Sequence, residues 1–198
     1  MARTRDEAVF ASKQAEIRRA AEALFSINGF HNTGIAAICK AVGMSPGTLY
    51  RYYGSKDDII RAIVEEDQLS AVALFDQLGE QEDFHEGLID ALLVAVGTVS
   101  QPDYASIFLE VAAEGSRNPQ IGALLERSRR ALVDRLAASI VQAMDRGQVP
   151  DGIDAEMVSH LLIAIPDGLA GSGSPPDPGA ARLRAVLRGL VHGVLGRR

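Results

Sequence analysis

The chain has 198 residues, of which 47% are hydrophobic and 23% charged, and a formal net charge of −6. That length buries one or two small cores, and no apolar run is long enough to span a bilayer. The opening residues MARTRDEA mix both charge signs without an apolar stretch, which argues against a signal peptide, and the single cysteine, Cys39, rules out an internal disulfide and suits a reducing cytoplasm.

The first helical pattern places Ile17, Ala20, Ala21, Leu24 and Phe25 on one stripe and closes at Asn28 and Gly29, with Phe30 set to fold back on the helix end. Thr33 is expected to cap a short second helix in which Ile35, Ile38, Cys39 and Val42 recur at one face. Gly43 supplies the positive φ that a tight turn needs. Ser45 then reads as an N-cap and Pro46 as the first residue of a third helix. Gly47 and Thr48 keep that helix slim at its front. Leu49 and Tyr53 are four apart and face inward, while Thr48, Tyr50, Arg51 and Tyr52 project elsewhere. Gly54 stops the helix and Ser55 caps the next. Lys56 stands in that next helix's first turn, where a cation opposes the helix dipole unless it faces a phosphate. Two short helices meeting at a glycine, behind a longer one, form a helix-turn-helix that can present one helix to a DNA groove.

The stretch TGIAAICKAVGMSPGTLYRYYGSK, residues 33 to 56, resembles the tetracycline-repressor (TetR) family of bacterial regulators. Thr33, Ile35, Ile38, Gly43, Ser45, Gly47, Thr48, Leu49, Tyr50, Tyr52, Tyr53, Ser55 and Lys56 fit the family pattern. Cys39 and Val42 stand where alanine is common, and Tyr53 replaces a frequent phenylalanine. Ala36 lacks the polar side chain that several relatives use for DNA contact. The resemblance implies a DNA-binding set of Thr33, Ser45, Pro46, Gly47, Thr48, Tyr50, Arg51, Tyr52 and Lys56.

Charge agrees with that reading. Residues 1–61 hold nine basic and six acidic residues, so the acidity lies in the remainder, and a basic head on an acidic body suits contact with phosphate at one end. Arg3 and Arg5 can serve as an arm to the backbone or minor groove.

Further helices are expected over about 56–78, 84–99, 103–115, from Asn118-Pro119 to Met144, over 154–170, and from Leu183 to Val194, with GSGSPPDPG at 171–179 as a linker. No alternating strand pattern and no repeat occur, so the fold class is all-α. The expected domains are a DNA-binding head over 1–55 and an effector-binding and dimerisation body over 56–198. The segment FLEVAAEGSRNPQIGALLERSRR resembles, more loosely, the second domain of one subset of the family. By that resemblance an effector pocket would draw on Phe84, Tyr104, Phe108, Leu125, Met144 and Met157. The last two helices would pair with their copies through Leu161, Leu162, Ile165, Leu169, Leu183, Val186, Leu187, Leu190 and Val194.

Chemistry is not expected. His31, His85, His160 and His192 form no metal-ligand spacing, and no nucleophile motif or phosphate-cradling loop is present. The expectation is a cytoplasmic, homodimeric regulator, not an enzyme, needing no metal or cofactor and having no membrane role. Its partners would be a palindromic operator in double-stranded DNA and a small, mostly apolar effector that releases it. The alternatives are an activator, an effector-independent regulator, or a helical small-molecule-binding protein without a DNA role.

Overall fold

The computed structural model describes residues 2–76, 78–172 and 179–196, without side chains for residues 2–6. Arg3 and Arg5 therefore lie outside the described side chains, as do residues 173–178 of the expected linker. The described residues form nine α-helices and no strand. They are α1 (Ala2–Asn28), α2 (Ile35–Ala41), α3 (Pro46–Leu49), α4 (Lys56–Phe75), α5 (Phe84–Val99), α6 (Pro102–Arg117), α7 (Pro119–Asp145), α8 (Ala155–Gly171) and α9 (Ala180–Leu195).

The chain divides into two compact units. The first holds residues 1–66 together with 106–125, and the second holds 67–105 and 126–198. This differs from a division at 55/56. The head's helices cannot enclose a core alone, so they bury Ile17, Phe25, Ile38 and Leu49 against Ile59 and Ile60 of α4, Val111 of α6 and Ile121 of α7. Fully burying one such side chain is worth about 1.5–3 kcal/mol, which is why neighbouring turns are recruited.

Within the first unit, α6 and α7 meet at paired glycines. A Cβ on Gly122 would lie 2.7 Å from the Gly115 carbonyl oxygen. Backbone cannot rotate away as a side chain can. Gly122→Ala is therefore expected to destabilise the protein by about 1–3 kcal/mol in urea unfolding. Gly97→Ala on α5, where a Cβ meets nothing within 4 Å, should instead gain up to about 1 kcal/mol from helix propensity. Equal effects at both positions would show that the close crossing contributes nothing.

The second unit has its own core, with Leu88 and Leu92 of α5, Leu136 and Ile140 of α7, Leu162 of α8, and Leu187, Val191 and Leu195 of α9. Residues 187, 191 and 195 are one helical face, and ion pairs reinforce its seat on α5: Arg184 and Arg188 both reach Glu86, and Arg184 also pairs with Asp90. No single helix among the described residues is long and apolar enough to cross a membrane.

Candidate nucleic-acid interface

The turn between α2 and α3 closes as its residues require. Gly43 takes φ +66, and the Met44 N–H returns to the Cys39 carbonyl at 3.0 Å. Ser45 caps α3, accepting from the Thr48 N–H at 3.2 Å while its hydroxyl meets that of Thr48 at 2.9 Å. Pro46 follows as the first helical residue. The regular helix is a single turn, ending at Leu49 and not at the expected stop Gly54, and the chain continues through turns in which the Tyr52 and Tyr53 N–H groups both donate to the Leu49 carbonyl.

Leu49 and Tyr53 are buried, which anchors the segment. Ser45, Pro46, Gly47, Tyr50 and Arg51 are exposed, and Thr48 and Tyr52 are half-buried at the edge. Small residues at the front and a long guanidinium farther along leave a surface that can enter a groove and reach base edges. Lys40, exposed at the end of α2, adds a second cation within residues 34–54. The sequence reading passed over it because it attended to the apolar positions of α2.

α1 braces this segment from behind. The Gln14 side chain donates to the Tyr52 carbonyl at 3.1 Å, and the Tyr53 hydroxyl donates to the Gln14 carbonyl at 3.2 Å. The Phe10 ring lies 4.7 Å from that of Tyr52. Phe10 was also missed, although it precedes Ile17 and Leu24 at intervals of seven and so continues their face.

Two expected contact residues are placed otherwise. Thr33 is buried and does not cap α2. Its hydroxyl sits 2.9 Å from the Gly29 carbonyl and 3.2 Å from that of Leu24, while Gly34 takes the cap position without a side-chain bond. The hydroxyl turns inward, where it donates to carbonyls on either side of the end of α1. Lys56 likewise points into the protein. Its ammonium donates to the Phe30 and Thr33 carbonyls at 2.7 and 3.1 Å and lies 4.0 Å from the Phe30 ring centre. Burial lowers its pKa, and the carboxylates of Asp57 and Glu114 oppose that shift.

Lys56→Met removes the charged donor from both carbonyls, leaving that of Phe30 with only the Thr33 N–H at 3.3 Å. It should cost about 1–3 kcal/mol of stability while leaving the salt dependence of DNA binding unchanged. Unaltered stability with a salt slope lower by about one unit would mean that the ammonium serves a phosphate instead.

Of the six residues expected to line an effector pocket, Phe108 and Leu125 belong to the first unit and the other four to the second. Phe84 is fully buried in the second core, Met144 packs against the same core, and Met157 is exposed. The Tyr104 hydroxyl instead donates to the Asp67 carboxylate at 2.9 and 3.0 Å. Burial first, and then the Asp67 charge, pushes the Tyr104 pKa far up, so it remains a donor. Arg129 pairs with Asp167 and Ser128 donates to Gln68 in the same unit. Helices α4, α6, α7 and α8 thus contribute paired polar side chains to the second unit.

The expected dimer residues divide by face. Leu162 and Leu187 are buried in the core of the second unit, and Leu183 packs against the same core. Leu161, Val186, Leu190 and Val194 are exposed, with Ile165 and Leu169 half-buried. A Cβ on Gly168, Gly189 or Gly193 would meet nothing within 4 Å, so that side of α8 and α9 is open to close approach.

Comparison with known proteins places these features among regulators. Residues 17–63 match the family of bacterial regulatory proteins described as the tetR family, and residues 85–196 match the C-terminal domain of BetI-type transcriptional repressors. The chain is 31% identical over 183 residues, 92% of each chain, to the HTH-type transcriptional regulator UidR of Escherichia coli (strain K12). The solved structure of Salmonella enterica GusR has a TM-score of 0.82 at 32% identity, covering 93% of this chain and 95% of that one. The transcriptional regulator FadR from Bacillus subtilis, solved in complex with stearoyl-CoA, shares the fold with a TM-score of 0.74 at 17% identity, over 92% and 97% of the two chains.

Proposed function

This chain belongs to the tetR family of bacterial regulatory proteins and is a transcriptional regulator, and from that premise we propose that it is a cytoplasmic, homodimeric repressor released from a palindromic operator by a small molecule. The observation that carries the reading is the capped, exposed segment 45–52, with Arg51 at its surface and Leu49 and Tyr53 anchoring it below. Two such segments related by a two-fold axis read half-sites about 34 Å apart, one turn of DNA, or a multiple of it. Ser45, Pro46, Gly47, Thr48, Tyr50, Arg51 and Tyr52 form the reading surface, and Lys40 adds a candidate phosphate contact.

The dimer forms through the open faces of α8 and α9, where Leu161, Val186, Leu190 and Val194 would be covered by the same residues of a second copy. No catalytic role is proposed. The effector enters the second unit, whose Tyr104–Asp67 pair and Arg129–Asp167 pair offer polar recognition beside apolar helices. Helices α4 and α6 contribute residues to both units, so a shift along either one reaches the head through covalent structure. Release requires that the effector favour the arrangement that does not fit DNA, and the coupling is reciprocal.

The test is titration of the protein's own upstream DNA by gel shift, with and without compounds that raise its melting temperature. A ligand-released repressor loses about 5–150-fold in operator affinity with at least one of them. Stabilising compounds that leave DNA affinity unchanged would instead indicate an effector-independent regulator.

A further inference from the structure

The loop joining α1 to α2 has a backbone-bonding problem that distant side chains solve. Gly29 leaves α1 with φ +78, which turns the Phe30 N–H away from the helix. A buried amide needs a partner, and the Glu110 carboxylate of α6 accepts from it at 2.7 Å. The fit is close, because a Cβ on Gly29 would lie 3.3 Å from the same carboxylate. On the other side of the Phe30 residue its carbonyl accepts from the Lys56 ammonium at 2.7 Å. A carboxylate on the N–H and an ammonium on the C=O hold one residue from both ends, and both bonds are charge-assisted. Nearby, buried Glu114 lies 3.2 Å from His31 of the same loop.

This grip has a consequence for α2. Its N-cap, Gly34, makes no side-chain bond, so α2 does not fix its own starting direction. The loop fixes it instead, and α3 follows α2 through the closed Gly43 turn. Glu110 stands on α6.

We propose that Glu110 is a positioning residue for DNA recognition, acting through the Phe30 amide to set the loop that carries the two reading helices. The proposal rests on the DNA-reading function above. Base readout demands exact side-chain placement, whereas phosphate contact tolerates small shifts. Loss of Glu110 therefore lowers discrimination more than general DNA binding.

Two measurements on full-length Glu110→Ala and Glu110→Gln test this. The first is amide hydrogen exchange in the free protein. Glu110→Ala should speed exchange at Phe30 by about ten- to a hundredfold, corresponding to one charge-assisted bond, and speed it also across residues 35–53. Glu110→Gln, which keeps an acceptor in place, should show a smaller effect. The second is the ratio of affinities for the protein's own upstream DNA and for a random duplex. Glu110→Ala should lower that ratio about tenfold, one bond's worth at the lower limit, with the salt slope unchanged because no phosphate contact is lost. Wild-type exchange at Phe30 in Glu110→Ala, or equal losses on both DNAs, overturns the proposal. A wild type without sequence preference contradicts the repressor reading instead, and the exchange result then decides on its own whether Glu110 holds the loop.

Discussion

Leu190→Glu is expected to give a folded monomer, and Leu187→Glu a protein that does not fold. The two residues are one turn apart on α9, about 60° around its axis, and the edge of the buried face runs between them. Leu190 is 42% exposed, and Leu187 only 1%, set among Leu88, Leu92 and Val191. A carboxylate at position 187 has no partner in that core, and an unpaired buried charge costs several kcal/mol, comparable with the whole stability of a small domain. At 190 the charge meets water in a monomer and changes its stability by about 0.5 kcal/mol or less. In a two-fold dimer the same charge is buried, so association fails. Because a dimer gains from holding two half-sites at once, the monomer should lose about 10²–10⁴-fold in operator affinity. Analytical ultracentrifugation with circular dichroism checks both variants. A Leu190→Glu protein that remains dimeric at micromolar concentration would place the interface elsewhere.

Arg51→Ala should weaken operator binding by about 1–3 kcal/mol and relax specificity at one position in each half-site. Arg51 is the one long basic side chain in 45–52 and is exposed, and a guanidinium matches the two acceptors of guanine in the major groove. Lys40→Ala, by contrast, should weaken operator and random DNA alike, and reduce the salt slope by about one unit if it meets a phosphate. Affinity measured on operators with single base-pair changes separates the two roles. A uniform loss on every sequence for Arg51→Ala would remove it as a base reader.

The helices were legible because apolar stripes recur at helical spacing, and the stops at Gly29 and Gly43 fall where helices end, whereas α3 ends at Leu49, well before Gly54. The serine cap, the buried Leu49 and Tyr53, and the exposed Arg51 followed from the same pattern. Other features depend on what covers each stripe, which periodicity does not reveal. Val111 and Ile121 lie far along the chain, yet they complete the head's core. Leu187 and Leu190 share an apolar helix, but only the packing of α5 decides which of them is inside. Thr33 and Lys56 turned inward, where they donate to carbonyls near the end of α1 and in the following loop, an arrangement visible only once the loop is folded. Tyr104 was singled out as an aromatic wall, but its hydroxyl found Asp67, 37 residues earlier.

The central claim is that two copies of the 45–52 segment read a two-fold symmetric DNA site. Selection of bound duplexes from a random library by the purified protein tests it most directly. The account predicts an enriched inverted repeat whose half-sites lie one helical turn, about 34 Å, or a multiple of it apart, and loss of that enrichment with Leu190→Glu. Recovery of no preferred sequence, or of a single asymmetric motif bound equally well by the monomer, would contradict it.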